Sequence, residues 1–361
     1  MRKTYIDNIR WITVALVVIY HVIYMFNGVT LYGVIGPFSD HQPQDMYQYI
    51  VYPWFMVLLF TISGMSARFY LNRHTDKEFI RSRTHKLLVP STLGVLAFGW
   101  VLGYYNMLIS GSFDDPLPVP APIRVLIMCV SGTGVLWFIQ LLWFYCVVLV
   151  LVRKIDKDRF YGICGRSNCI VLTMLTVLVW GAAQVFNTPM IVVYRIGIYG
   201  ITFFIGYFVL SHDEVMERLG NRWMLFSLLA IGLGIAFVYR FWGARMPYPE
   251  HEVLDTLLCN AYAWFATLGI LAFMKKFGNF ENGFTKWMSV RSWGLYVFHY
   301  LFIAISAWYL HVYAPTMPPL AVYLTVGVSG FAGAFLLYEI VKRIPVVRWL
   351  TLGITNKTKR V

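Results

Sequence analysis

The chain has 361 residues, of which 59% are apolar, 18% aromatic and only 13% charged, against roughly 25% charged in an ordinary soluble domain. Such a composition excludes a water-soluble enzyme and gives an all-α, polytopic integral membrane protein, because helices satisfy their own backbone hydrogen bonds where water is absent. The formal net charge of +13 would suggest nucleic acid in a soluble protein, but cationic cytoplasmic loops explain it in a membrane protein, so the partner is the lipid bilayer and not nucleic acid.

The first apolar segment, Asp7 to Asn27, is expected to be a retained helix, since it carries Arg10 and His21 and no small-residue cleavage site follows Phe26. Eleven steps of 100° bring a helix back to within about 20° of its starting azimuth, and at 1.5 Å per residue the two groups stand roughly 16 Å apart along the axis. They share one face. With Arg10 at a membrane surface, His21 falls near the middle of a hydrocarbon core about 30 Å thick. Intramembrane ionisable groups face a cavity or a partner, so the pair outlines a polar chamber entered from the Arg10 side. A neutral imidazole accepts a proton on one nitrogen while a hydrogen bond holds the other, which makes His21, flanked by Tyr20 and Tyr24, a candidate general base. Its bland alternative is a buried His bonded to a neighbouring helix. Arg10 is a candidate for binding phosphate or carboxylate, with a snorkelling anchor or a pair with Asp7 as its structural alternative.

The next spans are expected at Tyr49 to Leu71 and Leu87 to Ser110, joined by the cationic run RSRTHKLLVP from Arg81 to Pro90. Arg81, Arg83 and Lys86 are candidates to cradle a polyanionic donor, or form an ordinary positive-inside loop. The following DDPLPVPAP, beginning at Asp114, favours an extended, non-helical connection. Further spans are expected at Gly134 to Val152, Cys169 to Asn187, Val192 to Leu210, Trp223 to Phe241 and Asp255 to Met274. Arg195 stands near the outer end of the sixth, and Gln140 and Gln184 lie within others. These three either orient a hydroxylated acceptor arriving from outside or, for the glutamines, hydrogen-bond between helices. The last two spans, Val290 to His311 and Leu320 to Val341, carry His299 near mid-membrane and Glu339 near the cytoplasmic end. A second central His favours a shared polar chamber, and Glu339 is expected to neutralise Arg10 or Arg68.

About ten spans with an excess of Lys and Arg in alternate loops place both termini in the cytoplasm. The inner loops and tail hold Arg73 to Lys86, Arg153 to Arg166, Arg218, Arg222, Lys275, Lys276, Lys286 and then Lys342 to Arg360, whereas Arg124, Arg195, Arg240 and Arg245 are the cations at or near the other side. The five cysteines are scattered without zinc-type spacing to His, so neither a metal site nor a disulfide framework is expected. No nucleotide-binding or zinc-protease motif appears, and no internal repeat. Residues 1–361 read as one transmembrane domain, with oligomeric state open.

Four signatures in order resemble the acyltransferase-3 family of polytopic membrane acyltransferases. IDNIRWITVALVVIYH is similar to its Arg-ten-residues-His motif, and PWFMVLLFTISGM to its second-helix signature ending in Ser63-Gly64. LWFIQLL, containing Trp137, resembles its Leu-Trp-Phe element, and SWGLYVFH its late Ser, Tyr and His pattern. The chain departs from the family where two Arg spaced by two residues are usual: Arg83 is followed by Thr84, His85 and Lys86, and Lys lacks the guanidinium fork. The resemblance implies a multi-pass membrane-bound O-acyltransferase of the plasma membrane, in a bacterium the inner membrane, closest to stand-alone members that modify surface carbohydrate in the cell envelope. It implies transfer of a short acyl group, as in O-acetylation, from cytoplasmic acyl-CoA to a hydroxyl of an extracytoplasmic or membrane-associated glycan. Acyl-CoA would be a substrate, with no permanently bound cofactor. On this reading His21 is the general base, Arg10, Arg81, Arg83 and Lys86 bind donor, and His299, Arg195, Gln140, Trp137 and Tyr24 line the acceptor side or polar chamber.

The residues alone leave open a proton-coupled secondary transporter, in which Arg10, His21, His299 and Glu339 form a relay, and also a silent scaffold. Acyl-CoA binding and turnover separate the enzyme from a transporter, which would show gradient-dependent flux. The topology is tested by single cysteines at Thr75 and Val119: they should react with an impermeant thiol reagent from opposite sides of the membrane, and reaction from one side would overturn the orientation.

Overall fold

The computed structural model describes residues 3–30, 33–40, 42–114, 119–186 and 194–355. The expected all-α architecture is present. In chain order the helices are α1 (Thr4–Met25), α2 (Met46–Leu71), α3 (Asp76–Arg83), α4 (Val95–Ile109), α5 (Ala121–Ser131), α6 (Trp137–Asp156), α7 (Arg159–Cys164) and α8 (Cys169–Ala183). They continue with α9 (Ile196–Ile205), α10 (Asp213–Asn221), α11 (Trp223–Phe237), α12 (His251–Leu254), α13 (Leu257–Phe277), α14 (Gly283–Tyr313), α15 (Pro319–Val341) and α16 (Pro345–Leu352). Wider π-helical turns at Thr84–Leu88 and Pro90–Gly94 join α3 to α4, and others at Gly206–Leu210 and Val238–Trp242 extend α9 and α11.

Among the described residues eight helical stretches are long and apolar enough to cross a membrane, or nine if the bent pair Ile196–Leu210 and Asp213–Asn221 is one span. The expected span from Val192 to Leu210 corresponds to the first helix of this pair alone; the chain then turns by 97° at Ser211 and His212, where the backbone of His212 is extended. The expected span from Cys169 is a helix of only 15 residues. Ala121–Ser131 is a short apolar helix that the proline-rich connection hid. Val119 and Pro120 are non-helical as expected, but Ala121 and Pro122 begin α5, since proline suits a first turn whose N–H has no helical partner anyway. The other calculated boundaries Asn187 and Val192, residues 115–118 of the proline-rich stretch, and Lys357, Lys359 and Arg360 of the tail lie outside the described residues.

The chain forms two compact units. One comprises Met1–Thr13, Met46–Ile80 and Phe144–Ser289, the other Val14–Asp45, Arg81–Trp143 and Val290–Val361. In the first, α2 and α13 are the enclosed spans, most of their residues buried, while α11 is mostly uncovered and exposes Met224, Leu228, Ile231 and Ile235 at helical spacing. That stripe is the lipid-facing side of the unit, since lipid tails accept apolar side chains at no cost. The polar ends are fixed by specific bonds. Asn8 donates to Gly278 O at 2.8 Å and Phe280 O at 2.9 Å, and the Thr256 side chain caps α13 by accepting from Cys259 N.

In the second unit α15 exposes an apolar face with Leu320, Leu324, Val328 and Leu336, and α5 does so with Leu126 and Val130. The end of α1 is closed by a polar knot. Gln42 donates to Phe26 O at 2.8 Å and accepts from Phe38 N at 2.9 Å, while Asp45 accepts from Gly28 N at 3.0 Å. These bonds supply partners for backbone groups that a helix end would leave unsatisfied.

Gly64, in the second-helix signature, has a packing role. A Cβ there would stand 1.9 Å from Phe203 O, and one at Gly206 would stand 2.1 Å from Thr61 O, so α2 and the α9 region meet backbone to backbone. Gly64→Ala should therefore cost about 2 kcal/mol or more through overpacking and lower the melting temperature in detergent. Gly181→Ala in α8, where a Cβ meets nothing within 4 Å, should leave it unchanged or raise it. Equal melting temperatures for the two variants would remove the close approach as a source of stability.

Candidate active site

His21 and His299 come together in the second unit. His299 Nδ1 lies 3.0 Å from Leu295 O and 2.9 Å from Tyr296 O. Carbonyl oxygens only accept, so Nδ1 carries the proton and Nε2 of the neutral ring holds a lone pair. That Nε2 is 3.1 Å from His21 Nδ1, which is also 2.9 Å from Val17 O. His21 Nδ1 therefore donates, shared between the two acceptors. One self-consistent proton arrangement results, assigned from the hydrogen-bond network, and it leaves the lone pair of His21 on Nε2. His299 is fully buried at 0% exposure, whereas His21 is part-buried. Of the two rings, His21 is thus the one that an incoming group can reach.

Aromatic rings surround His21. Tyr20 and Tyr300 stand edge-on to His21 with centroids at 5.1 Å, and Tyr24 does so at 6.5 Å. Tyr296, His299 and Tyr300 follow one another at helical i, i+3 and i+4 spacing, so α14 presents them on one face. The Tyr296 hydroxyl donates to Val135 O, tying α14 to the turn that leads into Trp137. Tyr296 is the Tyr of the late Ser, Tyr and His pattern in the sequence, whereas Tyr300, one residue beyond His299, lies outside that pattern.

The donor candidates divide between the units. Arg10, in the first, donates to Asp7 at 3.1 Å and to Ser66 Oγ at 3.0 Å. The pair with Asp7 is the structural alternative for it, and the Arg10 side chain is 40% exposed. α1 is unbroken from Thr4 to Met25, so the three-turn register of Arg10 and His21 along it holds. Arg81, Arg83 and Lys86 lie in the second unit, at the end of α3 and in the first π-helical turn. The Lys86 ammonium stands 5.7 Å from the centroid of Trp293.

Other candidates meet structural partners. Gln140 on α6 donates to Ser91 O in the second π-helical turn at 2.8 Å, a bond between helical segments, whereas Gln184 lies just past α8 and donates to Trp180 O of that helix at 3.2 Å and to Asp255 O in the turn after α12 at 2.9 Å. Arg195, 2% exposed, donates to Leu254 O at 2.9 Å and Asn260 Oδ1 at 3.2 Å, all within the first unit. Trp137 is part-buried beside Phe138, with ring centroids 6.4 Å apart.

Glu339 departs from expectation. It pairs with Arg291 at 2.9 Å and with Lys342, not with Arg10 or Arg68. The reason is proximity: Lys342 is one turn further along, and Arg291 precedes the SWGLYVFH motif on α14. Arg68 has its own partners, donating to Asp158 at 2.6 Å and to the Tyr207 hydroxyl at 3.1 Å, with its guanidinium 3.5 Å from the Tyr161 ring centroid.

The comparisons with known proteins accord with this geometry. No curated protein and no solved structure matches the chain. A family profile described as an acyltransferase domain matches residues 3–339, a range that takes in α1 with Arg10 and His21, the cationic run, and α14 with His299. On that match the chain belongs to the acyltransferase-3 family and is a multi-pass membrane acyltransferase.

Proposed function

We propose that the protein transfers a short acyl group from cytoplasmic acyl-CoA to a hydroxyl of an extracytoplasmic or membrane-associated glycan, with His21 as general base. The observation that carries this reading is the hydrogen bond from His21 Nδ1 to His299 Nε2, 3.1 Å long, which leaves the Nε2 lone pair of the more accessible ring to take a proton.

His21 Nε2 removes the proton of the acceptor hydroxyl as its oxygen attacks the thioester carbonyl. The new C–O bond forms, the C–S bond breaks, and the thiolate of coenzyme A takes back the proton from His21 Nε2. Between those steps His21 is an imidazolium whose Nδ1–H is held by Val17 O and His299 Nε2, so positive charge arises beside two acceptors already aimed at it. His299 is a positioning residue, because it acts through His21. Arg10, Arg81, Arg83 and Lys86 supply cations for the phosphates of the donor, Arg10 in the bidentate manner open to a guanidinium. Membership in an acyltransferase family supports this chemistry over a transporter relay built from the same groups.

His21→Ala should leave acyl-CoA binding nearly intact while lowering turnover by roughly 10² to 10⁴, the range for positioned proton transfer. His21→Gln, which can keep a structural hydrogen bond but is no base near neutral pH, should be equally inactive. Near-normal acylation of surface glycan by folded His21→Gln protein, read by mass spectrometry, would reject the assignment. Arg10→Lys should raise the KM for acyl-CoA with acceptor saturation little changed; a selective loss of acceptor affinity would move Arg10 to another role.

A further inference from the structure

The segment after α15 lies beyond residue 339, where the family match ends, yet it is bonded closely to the cationic run. Trp349 Nε1 donates to His85 Nδ1 at 3.2 Å. Trp293 Nε1 donates to Leu352 O at 3.1 Å, and Leu352 is fully buried. The backbones meet without room for a side chain: a Cβ on Gly94 would stand 2.4 Å from Leu350 O, and one on Gly353 would stand 2.1 Å from His85 O. Gly353 also ends α16 with φ +65°, a conformation that glycine adopts without strain. On its other side the run is held by Trp143, whose Nε1 donates to Thr84 Oγ1 at 3.0 Å.

Between these anchors the chain takes two successive π-helical turns, Thr84–Leu88 and Pro90–Gly94. Pro90 offers no N–H and crowds the preceding turn, which accounts for the widening, and such turns recur at functional sites. The indole N–H occupies Nδ1 of His85, so in the neutral ring the proton sits on Nε2. Among the described residues Nε2 has no partner within the protein. The next residue in the chain is Lys86, whose ammonium lies 5.7 Å from the Trp293 ring centroid, in a run that also holds Arg81 and Arg83. A neutral donor among cations selects an anion rich in acceptor oxygens.

We propose that α16 is a positioning element of the donor site, and that His85, oriented by Trp349, is a further donor-binding residue that hydrogen-bonds a phosphate group of acyl-CoA. This rests on the reading of the Arg81–Lys86 run as the donor site.

The test compares acyl-CoA with acyl-pantetheine, which carries the same thioester and pantetheine arm but no phosphate, using the purified full-length protein. Trp349→Phe and His85→Ala should each raise the KM for acyl-CoA by about tenfold or more, the usual worth of a hydrogen bond to a charged group, with a much smaller change for acyl-pantetheine. The double variant should match His85→Ala alone, since Trp349 acts through His85. His85→Gln, which keeps an N–H donor, should recover much of the lost affinity and carries the test if Trp349→Phe does not fold. An equal rise for both donors, additive effects in the double variant, or no change in KM would overturn the proposal. Wild-type protein that turns over neither donor would instead sink the donor reading on which it rests.

Discussion

A polar group inside hydrocarbon must find its partner within the protein, because no water is there to replace one, and the arrangement of the second unit follows from that constraint. The two central imidazoles share a single chain of hydrogen bonds that starts at the carbonyls of Leu295 and Tyr296, passes through both rings and ends at the lone pair on His21 Nε2. Each link fixes the tautomer of the next. A side chain that would be a liability in lipid is thereby given one tautomer and one orientation, with aromatic edges around it and a lone pair on one nitrogen. The same constraint disposes of the other intramembrane polar groups. Gln140 within α6 ends on the backbone carbonyl of Ser91 in a neighbouring helical turn, while at helix ends Gln184 and Arg195 end on the carbonyls of Asp255 and Leu254.

Much of this was legible in the sequence because membrane insertion leaves strong one-dimensional traces. The apolar runs located most of the spans, and the register of Arg10 with His21 follows from helix geometry alone. What escaped was set by short-range competition or by distant contacts. α5 was hidden because prolines read as breakers, although at a helix start they are favourable. Glu339 was assigned the wrong cations because a sequence does not say that Arg291, 48 positions away, is its neighbour, and Lys342 one turn on was overlooked. The contact between the two His rings spans 278 positions and is not a pattern that local periodicity reveals. Nor could the indole of Trp349 be connected with His85, since 264 positions intervene.

The two families of contact differ in kind. Gly64 and Gly206 bring backbones together with no side chain between them, which fixes spacing and tolerates no growth. The His pair and the Arg68 cluster instead use long or aromatic side chains that reach partners across several ångströms and orient them. Rigid backbone contacts thus set where the helices lie, and polar side chains then select one arrangement of protons and charges among them.

The wide separation of the two imidazoles in the chain also bears on how the protein is made. With 278 positions separating them and synthesis at about 5–20 residues per second, α1 enters the membrane many seconds before α14 exists. During that interval His21 has no partner helix, and its own turn must suffice. Val17 O, four residues back and 2.9 Å from Nδ1, is encoded in the same helix and available from the moment it forms. The intrahelical bond thus shelters the imidazole through biogenesis, and the arrival of His299 adds a second acceptor to a proton that already has a home.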